Sequence, residues 1–351
     1  MTLVSGPDAV FRLKNKEGKV IYLFGESHNP LNLQNECPIS EDSLRIDQLL
    51  KKCFKKNKNT KLAFYLETSP SFIPFYGHKG ALRQYIESLR SLFSDNVSFN
   101  EKNKIQKSIK FPNVMFHFFD IRDEDCLKNG YDLGSKSANL SNYQYLLSTT
   151  IFFTSCVLND KKLYYMSKIK TKPYRNSKIK ESIMKIYNQN VNMMKDVRTE
   201  AIKLSSISKK IVDNFHENKL KMSSDKRYEE LNKIFSPIEN FGLKTLNAGA
   251  IFCDLFLMRR LLDKNYETKI NYIYSGLFHT VNILLFLLNY SDFELTHSTS
   301  VSPYIEKHFK KYSVEWLSDN FDEIMVHITG LSEFEERTQC VDLKSFPKYL
   351  R

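Results

Sequence analysis

Apolar residues along this chain recur with two different periods. Residues 10–12 and 19–24 read as a hairpin that turns at Asn15-Lys16-Glu17-Gly18. Short apolar runs then recur at 61–67, 114–119 and 269–275, and the first two stop at an acid, Glu67 and Asp120. Between the runs the spacing becomes helical. Leu44, Leu49, Leu50 and Phe54 mark a helix to about Lys56, capped by Ser40-Glu41-Asp42-Ser43, and a second helix spans roughly 80–93. Near the end, 248–262 is a strongly apolar helix, and 281–288 is a buried helix leaving the turn Gly276-Leu277-Phe278-His279. Continuous apolar runs alternating with helices predict an α/β fold, with a mostly parallel central sheet flanked by helices.

The middle of the chain has a different texture. From about 140 to 234 it reads as helical, with Ile179, Ile183, Ile186, Tyr187, Val191 and Met194 at helical spacing and a second helix over 199–215. Pro173 and Ser223-Ser224-Asp225 are the breaks. The expected organisation is an α/β core whose N-terminal part is 1–135 and whose C-terminal part is 241–351, with a basic all-helical insertion over 136–240.

Composition narrows the class. The 351 residues are 42% hydrophobic and 26% charged, with 26 Phe and 19 Tyr, enough to bury a sizeable core. No apolar run approaches the roughly 18 residues needed to span a bilayer. Residues 1–10 show no secretory pattern. Cys37, Cys53, Cys126, Cys156, Cys253 and Cys340 form no CxxC pair. That spacing argues against a zinc finger and a disulfide framework, and predicts reduced thiols in a cytoplasmic protein. The net charge is +12. Residues 161–222 hold sixteen Lys or Arg against five acids, which places nearly all of that charge in the helical middle. Such a segment is either a solvated helical face or a contact for an acidic partner, nucleic acid or anionic lipid, and Tyr164, Tyr165, Tyr174 and Tyr187 interleave with its lysines.

Candidate chemistry clusters at predicted strand ends. Gly25-Glu26-Ser27-His28 and Gly276-Leu277-Phe278-His279 each follow an apolar strand with Gly-x-x-His, and glycine permits a tight turn there. In open α/β sheets, ligands bind outside the carboxyl ends of the strands. Four such ends offer His28, Glu67, Asp120 and His279, with Glu26 beside them. Two imidazoles and several carboxylates suit a divalent metal or acid–base work on water. Asp120 and Arg122 are candidates to hold a substrate carboxylate, or to pair with each other. Ser27 is no nucleophile for His28, because adjacent side chains diverge. His117 falls inside a strand and reads as a residue packed in it or exposed on it. No GxGxxG, GxxxxGK[ST] or GxSxG motif is present.

The stretch Leu23-Phe24-Gly25-Glu26-Ser27-His28-Asn29-Pro30 resembles the first signature of the ChaN-type haem-binding proteins. These group with the TraB proteins, the TIKI-type proteases and the erythromycin esterases. The order Gly25/His28, Glu67, Gly276/His279 is similar to theirs, and Asp254 to Met258 is similar to the R-D-x-x-M helix. Cys253 stands where that helix has Arg, and Met258 lies one residue later than the pattern. The resemblance covers about 18–125 and 243–290. It implies a hydrolase acting on an ester, lactone or peptide bond of a small molecule or peptide. It gives His28 the role of general base or metal ligand, and Glu67 that of orienting carboxylate or ligand. His279 becomes the second ligand or the group that stabilises an oxyanion, and Glu26 an acid beside them. The implied cofactor is a divalent Mn, Co, Zn or Fe ion bound by His28, Glu67 and His279, ahead of haem. The alternative is a binding or structural protein on the same scaffold, with the basic helices as its working surface.

Overall fold

The computed structural model describes residues 3–27, 37–38, 43–68, 84–94, 97–100, 105–121, most of 147–159, 164–174, 176–218, a few positions between 223 and 245, 248–262, 268–300 and 339–351. The chain divides into two units. One is Met1–Asp120 with Lys264–Arg351, and the other is Ile121–Asp263. In chain order the elements used below are β1 (Leu3–Ser5), β2 (Ala9–Asn15), β3 (Val20–Glu26), β4 (Ser43–Arg45), α1 (Ile46–Lys56), β5 (Leu62–Leu66), α2 (Gln84–Ser94), β6 (Val97–Asn100), β7 (Ile105–Ser108) and β8 (Val114–Phe118). Then come α3 (Tyr164–Thr171), α4 (Ser177–Asn218), α5 (248–261), β9 (Ile270–Gly276), α6 (Leu277–Tyr290), β10 (Phe293–Ser300) and β11 (Cys340–Asp342).

The first hairpin closes where the sequence predicts. Gly18 has φ +83°, which favours glycine, and Asn15 accepts the Lys19 N–H on Oδ1 at 2.7 Å. The hairpin opens an eight-stranded sheet of order β10-β2-β3-β9-β5-β8-β7-β6. Its four central strands, β3-β9-β5-β8, are parallel, and antiparallel pairs extend it on both sides. This is the α/β class expected, with the parallel run at the centre. The latest of these four in sequence, β9, lies between the two earliest, β3 and β5.

Alternation decides the two faces. Tyr22, Phe24, Phe64, Phe116, Tyr272 and Tyr274 form one cluster with Leu49, Leu50 and Phe54 of α1 and Leu89 and Phe93 of α2. Phe93 stacks on Phe116 with centroids 4.5 Å apart, and Phe54 meets Phe111 edge-on at 5.4 Å. The opposite face takes α6. Ser275 Oγ lies 2.9 Å from Thr280 Oγ1 across that contact.

Three local expectations change. α1 starts at Ile46 because residues 43–45 pair in parallel with β1 and are strand, not cap. α6 starts at Leu277, directly off β9, so Gly276 to His279 is a helix start and not a free turn. Gly25 lies inside β3, where a Cβ would come within 2.8 Å of Leu277 Cδ2 and 3.0 Å of Thr280 Oγ1. Its role is close approach of the helix and not a turn.

The second unit is helical wherever it forms a described element. The sequence suggests two helices over 179–215, but α4 is one helix of 42 residues. No Gly or Pro interrupts it, and its buried positions Ile183, Tyr187, Asn190, Met194, Val197 and Ala201 continue at alternating steps of four and three. Tyr187 packs edge-on against Phe252 of α5 at 5.9 Å, and Asn190 Nδ2 donates to Ala248 O at 2.9 Å.

The expectation of reduced thiols is corrected at one pair. Cys37 and Cys340 form a disulfide across 303 residues of sequence. Sequence spacing misses it because strand pairing creates the proximity. Cys340 lies opposite Ser5 in the β1–β11 ladder, and Cys37 N–H donates to Ser5 Oγ at 3.0 Å. Cys53 and Cys253 are buried free thiols. Among the described residues no helix is long and apolar enough to cross a membrane.

Candidate active site

The parallel register brings the predicted strand ends into one row. Glu26 lies opposite Gly276, and Leu66 opposite both Tyr274 and Phe118. Along the edge the order is therefore Glu26, Gly276, Glu67 and Asp120. β9 runs straight into α6, so the first turn of that helix stands above the edge.

Glu67 is the centre of the arrangement. Its backbone N–H donates to Tyr274 O at 3.0 Å, which continues the β5–β9 ladder by one step. Its side chain then turns to the start of α6. Oε2 accepts the Gly276 N–H at 2.6 Å, and Oε1 lies 3.2 Å from His279 Nε2. A carboxylate at a helix N-terminus meets unpaired N–H groups and the positive end of the helix dipole, so the position is favourable. Both side chains are nearly inaccessible, at 7% for Glu67 and 5% for His279. Phe119 closes on the imidazole edge-on at 5.9 Å. A neutral imidazole in this contact would carry its proton on Nε2, toward the Glu67 carboxylate.

The other predicted residues separate. Glu26 is buried, and Tyr274 OH donates to its Oε2 at 2.5 Å. Burial, then the Glu26 charge, push the Tyr274 hydroxyl well above its usual pKa of 10.0. Strand alternation puts Glu26 on the face of Tyr22 and Phe24, which carries α1 and α2, whereas Glu67 and His279 meet on the α6 side. Asp120 is half-buried just past β8. His28 and Arg122 lie outside the described residues. His117 is fully buried and stacks on Tyr65 with centroids 4.5 Å apart, as a packed residue. Asp254, Arg259 and Arg260 are buried in the second unit, with both guanidinium groups over the Phe256 ring at 5.3 and 4.8 Å.

Among the described residues no three His, Cys, Asp or Glu side chains converge as a metal site requires. Both oxygens of Glu67 are engaged by Gly276 and His279. The described donors therefore do not make up a metal centre by themselves.

Sequence reasoning missed Asp8 and Gln339. Asp8 is buried beside the end of β3, where its Oδ2 accepts the Ser27 N–H at 2.6 Å. Burial raises its carboxyl from 3.8 to about 6. Hydrogen bonds from Ser27 and Gln339 oppose that rise, and the Glu26 charge adds to it. The Gly6-Pro7-Asp8 cluster before β2 signals a turn in the sequence, but not a carboxylate folded inward. Nothing in the sequence singles out Gln339.

A model of a family of unknown function (DUF5847) matches residues 2–151 and 133–351. Among curated proteins, the chain is 27% identical to Uncharacterized protein R706 of Acanthamoeba polyphaga mimivirus, over 99% of this chain and 96% of that one. It is 24% identical to Uncharacterized protein R161 of the same virus, over 98% and 97%. A shorter match, 33% identical, covers 34% of this chain and 74% of Uncharacterized protein R129. No solved structure matches.

Proposed function

The chain belongs to the DUF5847 family, and within that family we propose that it is a hydrolase in which Glu67 and His279 form the working pair. The observation that carries this reading is the double engagement of Glu67, with one oxygen on the α6 backbone and the other on His279 Nε2. A carboxylate fixed in this way orients one imidazole nitrogen and stabilises the imidazolium that forms when the other takes a proton. That is the orienting role a general base needs.

In this reading His279 Nδ1 accepts a proton from water as the oxygen attacks an ester, lactone or peptide carbonyl. The proton then passes to the departing oxygen or nitrogen, so one water is consumed and an acid and an alcohol or amine are released. Glu67 stays ionised throughout. The resemblance to the TIKI, ChaN and erythromycin esterase group supports the bond class. His28, the imidazole of the first Gly-x-x-His, is given no step, and neither is a metal ion or haem. A pair this dry keeps its electrostatics strong.

The test is hydrolysis of a panel of p-nitrophenyl esters, lactones and peptides by wild type and His279→Ala. Cleavage that depends on His279 supports the reading. Cleavage at equal rates overturns it.

A second reading has its own observation. Lys178, Lys185, Lys203 and Lys210 are exposed on α4 at steps of seven and eighteen residues, close to one line along the helix. This is a surface for an acidic partner or nucleic acid on a scaffold without turnover. Binding to a DNA duplex that weakens steeply with salt would favour it.

A further inference from the structure

Tyr22 on β3 and Tyr272 on β9 sit opposite each other near the amino ends of their strands, with stacked rings 5.5 Å apart. This is the other end of the sheet from Glu67 and His279. Both tyrosines are fully buried, and both hydroxyls reach the main chain of residues 347–351. Tyr22 OH donates to Arg351 O at 3.0 Å, and Tyr272 OH to Leu350 O at 3.0 Å. Asn57, just past α1, donates from Nδ2 to Tyr349 O at 3.2 Å. Three successive main-chain oxygens are thus held by three side chains from different parts of the fold. Arg12 on β2 completes the set. Its Nε donates to Tyr22 OH at 3.0 Å, Nη1 to Thr296 Oγ1 at 2.7 Å and Nη2 to Arg351 O at 3.4 Å.

Three features set this contact apart from ordinary packing. The first is conformation. Tyr349 and Leu350 have φ of 58° and 49°, the left-handed region that residues with a side chain rarely adopt. Two such residues in a row persist only where their surroundings impose them. The second is the balance of contacts. Leu350 is 2% exposed and packs in the cluster of Tyr272 and Phe54, as one deep apolar anchor. The remaining recognition runs mainly through backbone oxygens. The third is charge. Arg12 is only 8% exposed, and among the described residues no acidic side chain pairs with it. Its acceptors are Tyr22, Thr296 and the Arg351 oxygen. A buried guanidinium gains most from a carboxylate, and the place of the Arg351 oxygen is where one would serve it.

We propose that this groove is a binding site for a peptide C-terminus. The terminal carboxylate lies on Arg12 and Tyr22, the penultimate side chain is apolar and takes the Leu350 position, and the two carbonyls before the terminus are held by Tyr272 and Asn57. Residues 347–351 fill the groove in this chain as a strap bound to the sheet, and a free peptide of the same chemistry takes their place when they are displaced. Backbone oxygens and one carboxylate supply the affinity, and one apolar pocket supplies the selectivity. The site lies away from Glu67 and His279, so it holds whether or not the chain hydrolyses anything.

The test uses the full chain carrying Leu350→Asp, which cannot keep a charge in the apolar pocket and so vacates the groove. The probe is the peptide Pro-Lys-Tyr-Leu-Arg, labelled with fluorescein at its amino end and free at its carboxylate, and binding is read by fluorescence polarisation. Saturable binding to Leu350→Asp is expected. Wild type should bind at least about tenfold more weakly, because its own tethered strap competes at an effective concentration on the order of millimolar. The same peptide ending in an amide should bind the variant about tenfold or more weakly than the acid, the usual effect of losing a charged hydrogen-bond partner. If Leu350→Asp is unfolded alone, the acid peptide should restore the far-UV circular dichroism of wild type, and the amide should do so only at higher concentration. No binding to the variant, equal binding to wild type, equal binding of acid and amide, or an unfolded variant that the peptide does not rescue would each overturn the proposal.

Discussion

Glu67 Oε1 lies 3.2 Å from His279 Nε2, while the other oxygen of the same carboxylate holds the Gly276 N–H at 2.6 Å. One side chain thus fixes both the helix that carries the imidazole and the imidazole itself. Glu67 comes from β5 and His279 from α6, 212 positions further along the chain. They meet because β9 is inserted between β3 and β5 and runs without a loop into α6.

That contact predicts energetic coupling. Glu67→Gln and His279→Ala should each destabilise the fold by about 1–3 kcal/mol, and the double variant by less than their sum. Urea denaturation of the four proteins gives the coupling directly. Additive losses would mean that the two side chains do not interact.

Gly25→Ala should be destabilising by roughly 1–3 kcal/mol, the usual cost of overpacking. The new methyl would sit 2.8 Å from Leu277 Cδ2 and 3.0 Å from Thr280 Oγ1, so the α6 side chains over β3 must give way. A fall in the denaturation midpoint with an unchanged slope is the expected signature. Because Leu277 and Thr280 flank His279, hydrolysis should fall more than stability alone explains.

Asp8 predicts the direction of one pH effect. Its carboxyl rises from 3.8 to about 6 on folding, so the folded protein binds this proton more tightly than the unfolded chain. The group adds stability below pH 3.8 relative to its ionised state. That stability is lost as pH rises from about 4 to about 6, for a loss on the order of 3 kcal/mol. In Asp8→Asn this component should vanish, which denaturation curves at pH 4, 5, 6 and 7 would reveal as a flatter profile than wild type.

The disulfide makes a separate prediction. Cys340→Ser should lose roughly 2–5 kcal/mol, since a very long loop is no longer closed in the unfolded chain. Reductant should destabilise wild type by a similar amount and leave the variant unchanged. Cys53 does not replace the lost partner, because burial pushes its thiol up to about 12 and keeps it unreactive.

Much of the α/β architecture is visible in local pattern. The hairpin at Asn15 to Gly18, the buried runs and the apolar α6 follow from periodicity and turn chemistry, which act within a few residues. Glu67 and His279 are also legible, because polar residues that end apolar runs project from the carboxyl edge of a sheet. What the sequence conceals is set by packing at a distance. Glu26 looks equivalent to Glu67, but alternation turns it to the other face and to Tyr274. Gly25 reads as a turn residue, and only the approach of α6 shows why a side chain is excluded. The Cys37–Cys340 bond and the inward fold of Asp8 depend on β11 pairing with β1, and no local signal encodes that pairing.

The most direct test of the central claim is a double-mutant cycle in kcat/KM on whichever panel substrate is cleaved. If Glu67 acts through His279, each single substitution costs roughly 10²- to 10⁴-fold, and the double variant is no slower than the worse single. Losses that multiply would show that the two residues act independently and would contradict the account.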